Sequence, residues 1–343
     1  METRKVQRLG PSTLAMTLPA TWTEEFGVEK GDEVHIRRAG RGTLTVTPAE
    51  TVREGTTAVI HADELGAEAV ERAIVAQYVL GRRVIRIEQS AGPLSSAVIN
   101  AVYDAESQLM GLGVIEETPD HIAIRCSVDP ADFTLENLLQ RLERTGATMR
   151  DEAVTALLEG DPDLAERALN RERQANKIFV LCLRLVMTAY REPNLAADIG
   201  LEDGFPLIGY RSIVKNLELT ADNAQDIAEI VREADAPAAG LDDDTRAAIR
   251  ELTDRVDDIT ALAVAAAVDR DYDATIETRA LFREISAREG EVLGALPELS
   301  NAELLRIREI LVALQQTAQY AMRNAEIAAN LALNEDSAHV SID

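Results

Sequence analysis

The chain has 343 residues, 46% of them apolar and only 3% aromatic, and a formal net charge of −25. That length suits roughly two or three globular domains, and that composition suits helices packed through small and aliphatic side chains instead of a disordered chain. No apolar run approaches the roughly 20 residues of a membrane span, METRKVQRLG lacks the apolar core of a signal peptide, and Cys126 and Cys182 sit inside apolar patterns and not in a disulfide framework, so no membrane insertion and a cytoplasmic location are expected.

The charge is unevenly spread. Residues 1–50 carry seven Lys/Arg and seven Asp/Glu, so the other 293 residues hold the whole deficit. Lysine occurs only at positions 5, 30, 177 and 215. An acidic, lysine-poor surface is common in proteins dissolved in molar salt, where repulsion is screened within a few Å, and a halophilic source is the reading taken over an ordinary acidic protein. A near-neutral head on an acidic body suggests that the head meets something anionic.

Within that head, RKVQRLG and STLAMTLP are short alternating stretches split by Gly10-Pro11, a turn signal. TWTEEFG reads as one or two helical turns, with Thr21 three residues before Glu24 in capping-box spacing and Gly27 as the left-handed stop. VHIRR and TLTVTP follow as a hairpin around AGRG, with Val34, Ile36, Leu44 and Val46 on one face. Short strands over some 50 residues bury too little apolar area to stand alone, so a partner chain is expected.

RKVQRLGPSTLAMTLPATW, FGVEKGDEVHI and GTLTVTP resemble the AbrB/MazE/SpoVT swapped-hairpin family. The resemblance implies a homodimer through residues 1–50, a small swapped-hairpin β-barrel that presents its basic first strands to DNA. On this sequence Arg4, Lys5 and Arg8 would meet phosphates or groove edges, with Gln7, Ser12 and Thr13 as neutral hydrogen-bonding groups. A solvated strand edge on a pure dimerisation module is the alternative.

Residues 51–130 read as a βα connector domain. TTAVIH is a strand, AEAVERAIVAQYVLG a helix ending at Gly81, RVIRIE a strand, PLSSAVINAVYDAESQLMG a helix opened by Pro93, and GVIEE and HIAIRCSV a strand pair. The order β-α-β-α-β-β fits a small α/β sandwich. It holds no phosphate loop, and His61 and His121 lack ligand spacing. Interdomain spacing or oligomerisation would suit it.

Residues 131–236 and 237–343 read as two copies of a three-helix unit, the second with a C-terminal tail. Apolar residues recur every three or four positions through six long segments, with helix restarts at Asp161-Pro162, Pro206, Asp242, Tyr272 and Ser300. VKNLELTADNAQD and MRNAEIAANLALN correspond at an offset of 108 residues: Lys215-Asn216 matches Arg323-Asn324, Glu218 matches Glu326, and Asp222 and Asp226 match Asn330 and Asn334. Internal duplication accounts for this.

The tandem unit, over roughly residues 132–335, is similar to the PhoU family of phosphate-uptake regulators. The resemblance implies all-α tandem three-helix bundles, and with the two segments before them a multidomain chain. In some members of that family acidic motifs hold iron or other metals. Here Glu218, Asp222 and Asp226, with Glu172 on the middle helix, would be the metal ligands, and a divalent metal or iron the cofactor. The sequence departs from the family pattern at Asn176, at Asn330 and Asn334, and at Phe282, aligned opposite Glu172. A solvated or partner-binding face is the alternative.

No Ser/His/Asp order, H-E-x-x-H or C-x-x-C motif or nucleotide loop occurs, and an enzyme is not expected. The leading reading is a phosphate-responsive transcriptional regulator. The alternative is an accessory protein that docks on a phosphate-transporter ATPase or a sensor kinase and uses the hairpins only to dimerise. An antitoxin is a third reading, against which the large helical body argues.

Overall fold

The computed structural model describes residues 3–39, 43–48, 57–191, 195–196, 199–201, 206–234, 240–334 and 337–341. The chain divides after residue 56 into two units. The hairpin turn at 40–42 and the boundaries expected at 50/51 and 236/237 lie outside the described residues.

In the first unit, Gly10-Pro11 reverses the chain so that β1 (Gln7–Arg8) pairs antiparallel with β2 (Leu14–Ala15). The turn is closed by the Leu9 and Gly10 amides, which donate to the Thr13 carbonyl at 3.0 and 3.4 Å. Helix α1 (Ala20–Glu25) follows, but the expected Thr21 capping box is absent: Pro19 is the N-cap, without a side-chain bond, and Thr21 lies inside the first turn. Gly27 does end that segment, at φ +63°. Strands β3 (Val34–Ala39) and β4 (Thr43–Pro48) form an antiparallel hairpin with Ile36 opposite Val46. Two separate two-stranded pieces enclose no core. Among the described side chains of this unit only Pro48 is buried, while Val6, Leu9, Leu14 and Ile36 are 63, 73, 64 and 65% exposed.

The second unit opens with a two-layer sandwich. Its elements are β5 (Thr57–His61), α2 (Ala67–Val79), β6 (Val84–Glu88), α3 (Ser96–Gln108), β7 (Leu112–Glu117) and β8 (His121–Cys126). The sheet order is β5-β6-β8-β7, with β5 parallel to β6 through the α2 crossover and the other pairs antiparallel. Strand alternation buries Ile60, Ile85, Ile87, Ile122 and Ile124, which share one core with Ile74 of α2 and Val98 of α3. Helix α3 starts later than Pro93 suggests, because the Ser95 hydroxyl accepts from the Val98 amide at 3.3 Å and Ser95 is therefore the cap.

Six long helices complete the unit: α4 (Leu135–Glu159), α5 (Pro162–Arg191), α6 (Pro206–Arg232), α7 (Asp243–Val268), α8 (Tyr272–Ala295) and α9 (Asn301–Ala332). Their ends have local causes. Thr134, Asp242, Asp271 and Ser300 accept from backbone amides of the first turn, and Ser300 with Glu303 forms a reciprocal capping box. Gly160, at φ +70°, closes α4, and Pro162 opens α5.

The sandwich is joined to the helices through α5. Val180 of α5 belongs to the sandwich core. Arg184, 5% exposed, lies 4.8 Å over the Tyr78 ring and donates to the carbonyls of Tyr78, Arg82 and Gly81 at 2.6, 3.1 and 3.4 Å. These carbonyls lie at and just past the end of α2, where the Tyr78 carbonyl also accepts from the Gly81 amide at 2.9 Å, and a cation is the favourable group there.

The two helical repeats are not two separate bundles. Ala153, Val154 and Leu157 at the end of α4, and Ile227 and Val231 at the end of α6, pack in the core of the second repeat. Val264 and Ala267 of α7, and Ala328 and Leu331 of α9, pack in the core of the first. Between the repeats, Arg150 of α4 is 1% exposed and its Nε donates to Asp257 Oδ1 of α7 at 2.7 Å.

At the centre, α6 and α9 cross antiparallel. The Asn216 amide donates to Asn324 Oδ1 at 2.8 Å, joining two residues 108 apart in sequence. On one side Asn223 donates to Thr317 Oγ1 at 3.1 Å. On the other, a Cβ added at Gly209 would lie 3.0 Å from Ile327 and 3.3 Å from Leu331, so any larger residue would require those two side chains to give by a few tenths of an ångström. The offset of 108 turns one of these flanking contacts into the other and the asparagine pair into itself. A pseudo-twofold axis therefore passes through Asn216 and Asn324.

Asn324 is 1% exposed. Replacing Asn216 with Ala leaves that amide without its partner and is expected to lower stability by about 1–3 kcal/mol in urea denaturation. Asn216→Leu combined with Asn324→Leu removes both polar groups and should recover most of the loss, seen as non-additivity in the double-mutant cycle. Arg184→Ala should cost about 3 kcal/mol by the same measurement, with Arg184→Lys restoring only part, because an ammonium lacks the planar fork that reaches several carbonyls at once.

Candidate nucleic-acid interface and acidic face

The residues predicted to meet DNA lie on the first strand and its turn, and Arg4, Lys5, Gln7, Arg8, Ser12 and Thr13 are all exposed. Arg8 Nη1 donates to the Pro11 carbonyl at 3.0 Å, which holds the guanidinium against the turn that carries Ser12 and Thr13. Gln7 and Arg8 are successive strand residues and so point to opposite faces. The turn thus gathers Arg8, Ser12 and Thr13, and Gln7 stands apart from them.

In the second unit, Glu218, Asp222 and Asp226 follow one another along α6, and Glu172 of α5 faces them closely enough to perturb Asp222. The Asp222 carboxyl is raised to about 6, first by burial, then by Glu218, with Lys215 opposing and Asp226 and Glu172 adding. Glu172 is raised by burial and by Glu218, and Asp226 by burial and by Glu229. Four carboxylates at this spacing repel, and part of the compensation comes from this chain's own lysine. Lys215 Nζ pairs with Glu218 and stands 5.5 Å from the Phe179 ring centroid. Among the described residues, no group of three or more His, Cys, Asp or Glu side chains is placed to hold a metal ion. The second repeat is arranged differently: Arg323 stands 5.4 Å from the ring of Tyr320 on its own helix, and Glu326 lies 4.0 Å from Arg279.

Residues 139–231 match the family model of the PhoU domain. The PhoU match spans α4 from its second turn through α5 and nearly all of α6, and so contains Glu172, Lys215, Glu218, Asp222 and Asp226. Residues 7–54 match the model of the antidote-toxin recognition protein MazE, a bacterial antitoxin; Arg4 and Lys5 precede that match. PhoU from Pseudomonas aeruginosa is 20% identical in sequence, with 57% of this chain and 94% of that chain covered and a TM-score of 0.46. The phosphate transport system regulatory protein PhoU from Streptococcus pneumoniae is 17% identical, with 61% and 96% covered and a TM-score of 0.45. No curated protein matches the chain. Among the described residues, no helix is long and apolar enough to cross a membrane.

Sequence reasoning picked out the carboxylates of the PhoU-matching segment and missed the role of Lys215 and Phe179. The signal was present: Lys215 lies three residues before Glu218, one turn away on the same helix face, in a chain with only four lysines. Cys126 and Cys182, read as members of apolar patterns, are both buried, and burial pushes the Cys182 thiol up to about 12.

Because the folded chain holds the Asp222 proton more tightly than the unfolded chain, the carboxyl favours the fold when protonated. That contribution is complete below the ordinary aspartate range and is lost as pH rises through about 6. Asp222→Asn should therefore melt at a higher temperature than the parent at pH 7.5 and at the same temperature at pH 4. A scan of melting temperature between those limits checks the sign.

Proposed function

We propose that this chain is a phosphate-responsive regulator of transcription. Two copies would join through residues 1–50 and bind DNA with the basic first strand and its turn, and the helical body would carry the phosphate-linked input. The observation that carries this reading is the first unit itself. It matches the MazE model, displays Arg4, Lys5 and Arg8 on its surface, and leaves Val6, Leu9, Leu14 and Ile36 uncovered in the single chain. A second copy would bury those apolar side chains and double the basic surface. Regulation then requires that the body favour one of two dimer geometries, with different contacts in each.

One observation favours a second reading. All of the −25 charge resides outside residues 1–50, so the helical body repels nucleic acid and suits a protein partner. In that case the hairpins only dimerise the chain, and the body acts on a transporter ATPase or a sensor kinase.

Arg4→Ala, Lys5→Ala and Arg8→Ala together separate the readings. Under the first, the triple variant loses the gel shift of phosphate-transport promoter DNA, and the wild type's log-affinity against log-salt slope exceeds any residual slope by about one unit for each phosphate contact removed. Chromatin immunoprecipitation would enrich those promoters in a phosphate-dependent way. Uniform background in high and low phosphate, with uptake control unchanged in the triple variant, would leave the accessory reading.

A further inference from the structure

Helix α6 starts at Pro206, which the offset of 108 carries to position 314, yet α9 starts at Asn301. The additional turns of α9 run beside the last two turns of α6 and leave an open groove of about 570 Å³ between them. Its floor is apolar: Ile230 of α6 meets Leu305, Val312 and Ala313 of α9. Leu305 is 57% and Val312 40% exposed, although farther along the same helix Leu314, Ala318 and Ala321 are buried. Its rim is acidic, with Asp226, Glu229 and Glu233 on one side and Glu309 on the other, against one arginine, Arg308. A second hollow, of about 290 Å³, continues the groove past Glu233 toward Ala302 and adds Arg306 to its lining, so the carboxylates outnumber the arginines over both.

We propose that this groove seats a cationic amphipathic helix of a partner protein. Leu305 and Val312 are seven residues apart, two helical turns or about 10.5 Å, which matches anchors at positions i and i+7 of a docked helix. Lys or Arg beside those anchors would reach the carboxylates on the rim, and the apolar floor would supply the area removed from water. The acidic rim favours a cationic occupant over nucleic-acid phosphates, anionic lipid headgroups or a second copy of this acidic body. The assignment goes beyond the DNA reading and holds whether or not the hairpins bind DNA.

The test uses the full chain and a fluorescein-labelled synthetic 18-residue peptide with Leu at helical i, i+3, i+4 and i+7 positions and Lys and Arg at its flanks. Two control peptides carry the same composition in scrambled order, and Glu in place of each Lys and Arg. The proposal expects saturable binding of the first peptide by fluorescence anisotropy, and hydrogen-exchange protection across residues 226–234 and 302–316. It expects the affinity to fall at least about tenfold in Leu305→Ser/Val312→Ser and in Glu229→Gln/Glu233→Gln/Glu309→Gln, the loss of anchors and rim charge that mark a helix-in-groove interface. These side chains are exposed or half-buried, and circular dichroism establishes that each variant is folded.

The proposal is overturned by no binding, by equal binding of the scrambled peptide, or by unchanged affinity in both variants. Self-association that disappears in Leu305→Ser/Val312→Ser would instead make the occupant a second copy. Tighter peptide binding in Arg4→Ala/Lys5→Ala/Arg8→Ala would make it the chain's own basic strand. Either result overturns the assignment to a partner.

Discussion

The antiparallel crossing of α6 and α9 at Asn216 and Asn324 is the constraint from which the helical body follows. Two equivalent helices that meet on a twofold must present the same residue to itself at the crossing point. Asparagine can do so because its amide offers a donor to one copy and an acceptor to the other. With that point fixed, flanking positions pair in reciprocal fashion, and a glycine on one side and a threonine on the other decide how closely the helices approach. The ends of α4 and α6 are then carried into the second core, and the ends of α7 and α9 into the first.

Buried arginines complete the assembly. Arg150 joins α4 to α7 through Asp257, and Arg184 joins the α/β sandwich to α5 through carbonyls at the end of α2. Arg184 meets backbone oxygens at a helix end, and Arg150, itself 1% exposed, is paired with a carboxylate whose side chain is 30% exposed, so each pairing offsets the cost of burying a guanidinium. The acidic stripe of α6 follows the same logic at a half-buried site. Lys215, steadied above Phe179, provides positive charge beside the carboxylates, while burial keeps Asp222 well above the ordinary aspartate range.

Much of this was legible in the residues. Six helical segments, the βα order of the sandwich and the offset between KNLEL and RNAEI follow from apolar spacing, prolines and capping residues, which act locally. The first caps to fail were those where a tertiary or neighbouring choice won: Pro19 displaces Thr21, and Ser95 displaces Pro93. Arg184 reads as an interruption in the apolar stretch FVLCLRLV, because its partners lie more than a hundred residues away. The interleaving of the two cores has no local signature at all. For the candidate site, residue types and spacing located the carboxylates and the basic strand. The i,i+3 spacing of Lys215 and Glu218 was there to be read, but nothing local showed that Phe179 of another helix would stand beside that lysine.

The axis through Asn216 and Asn324 also bears on ancestry. A single-repeat forerunner with asparagine at the crossing position would have closed on an identical molecule, each copy lending its helix ends to the other's interior. Fusion of two such genes would convert that intermolecular contact into an intramolecular one and free each half to drift. The divergence is visible in the longer start of α9, and in asparagines at 330 and 334 where the first half keeps Asp222 and Asp226.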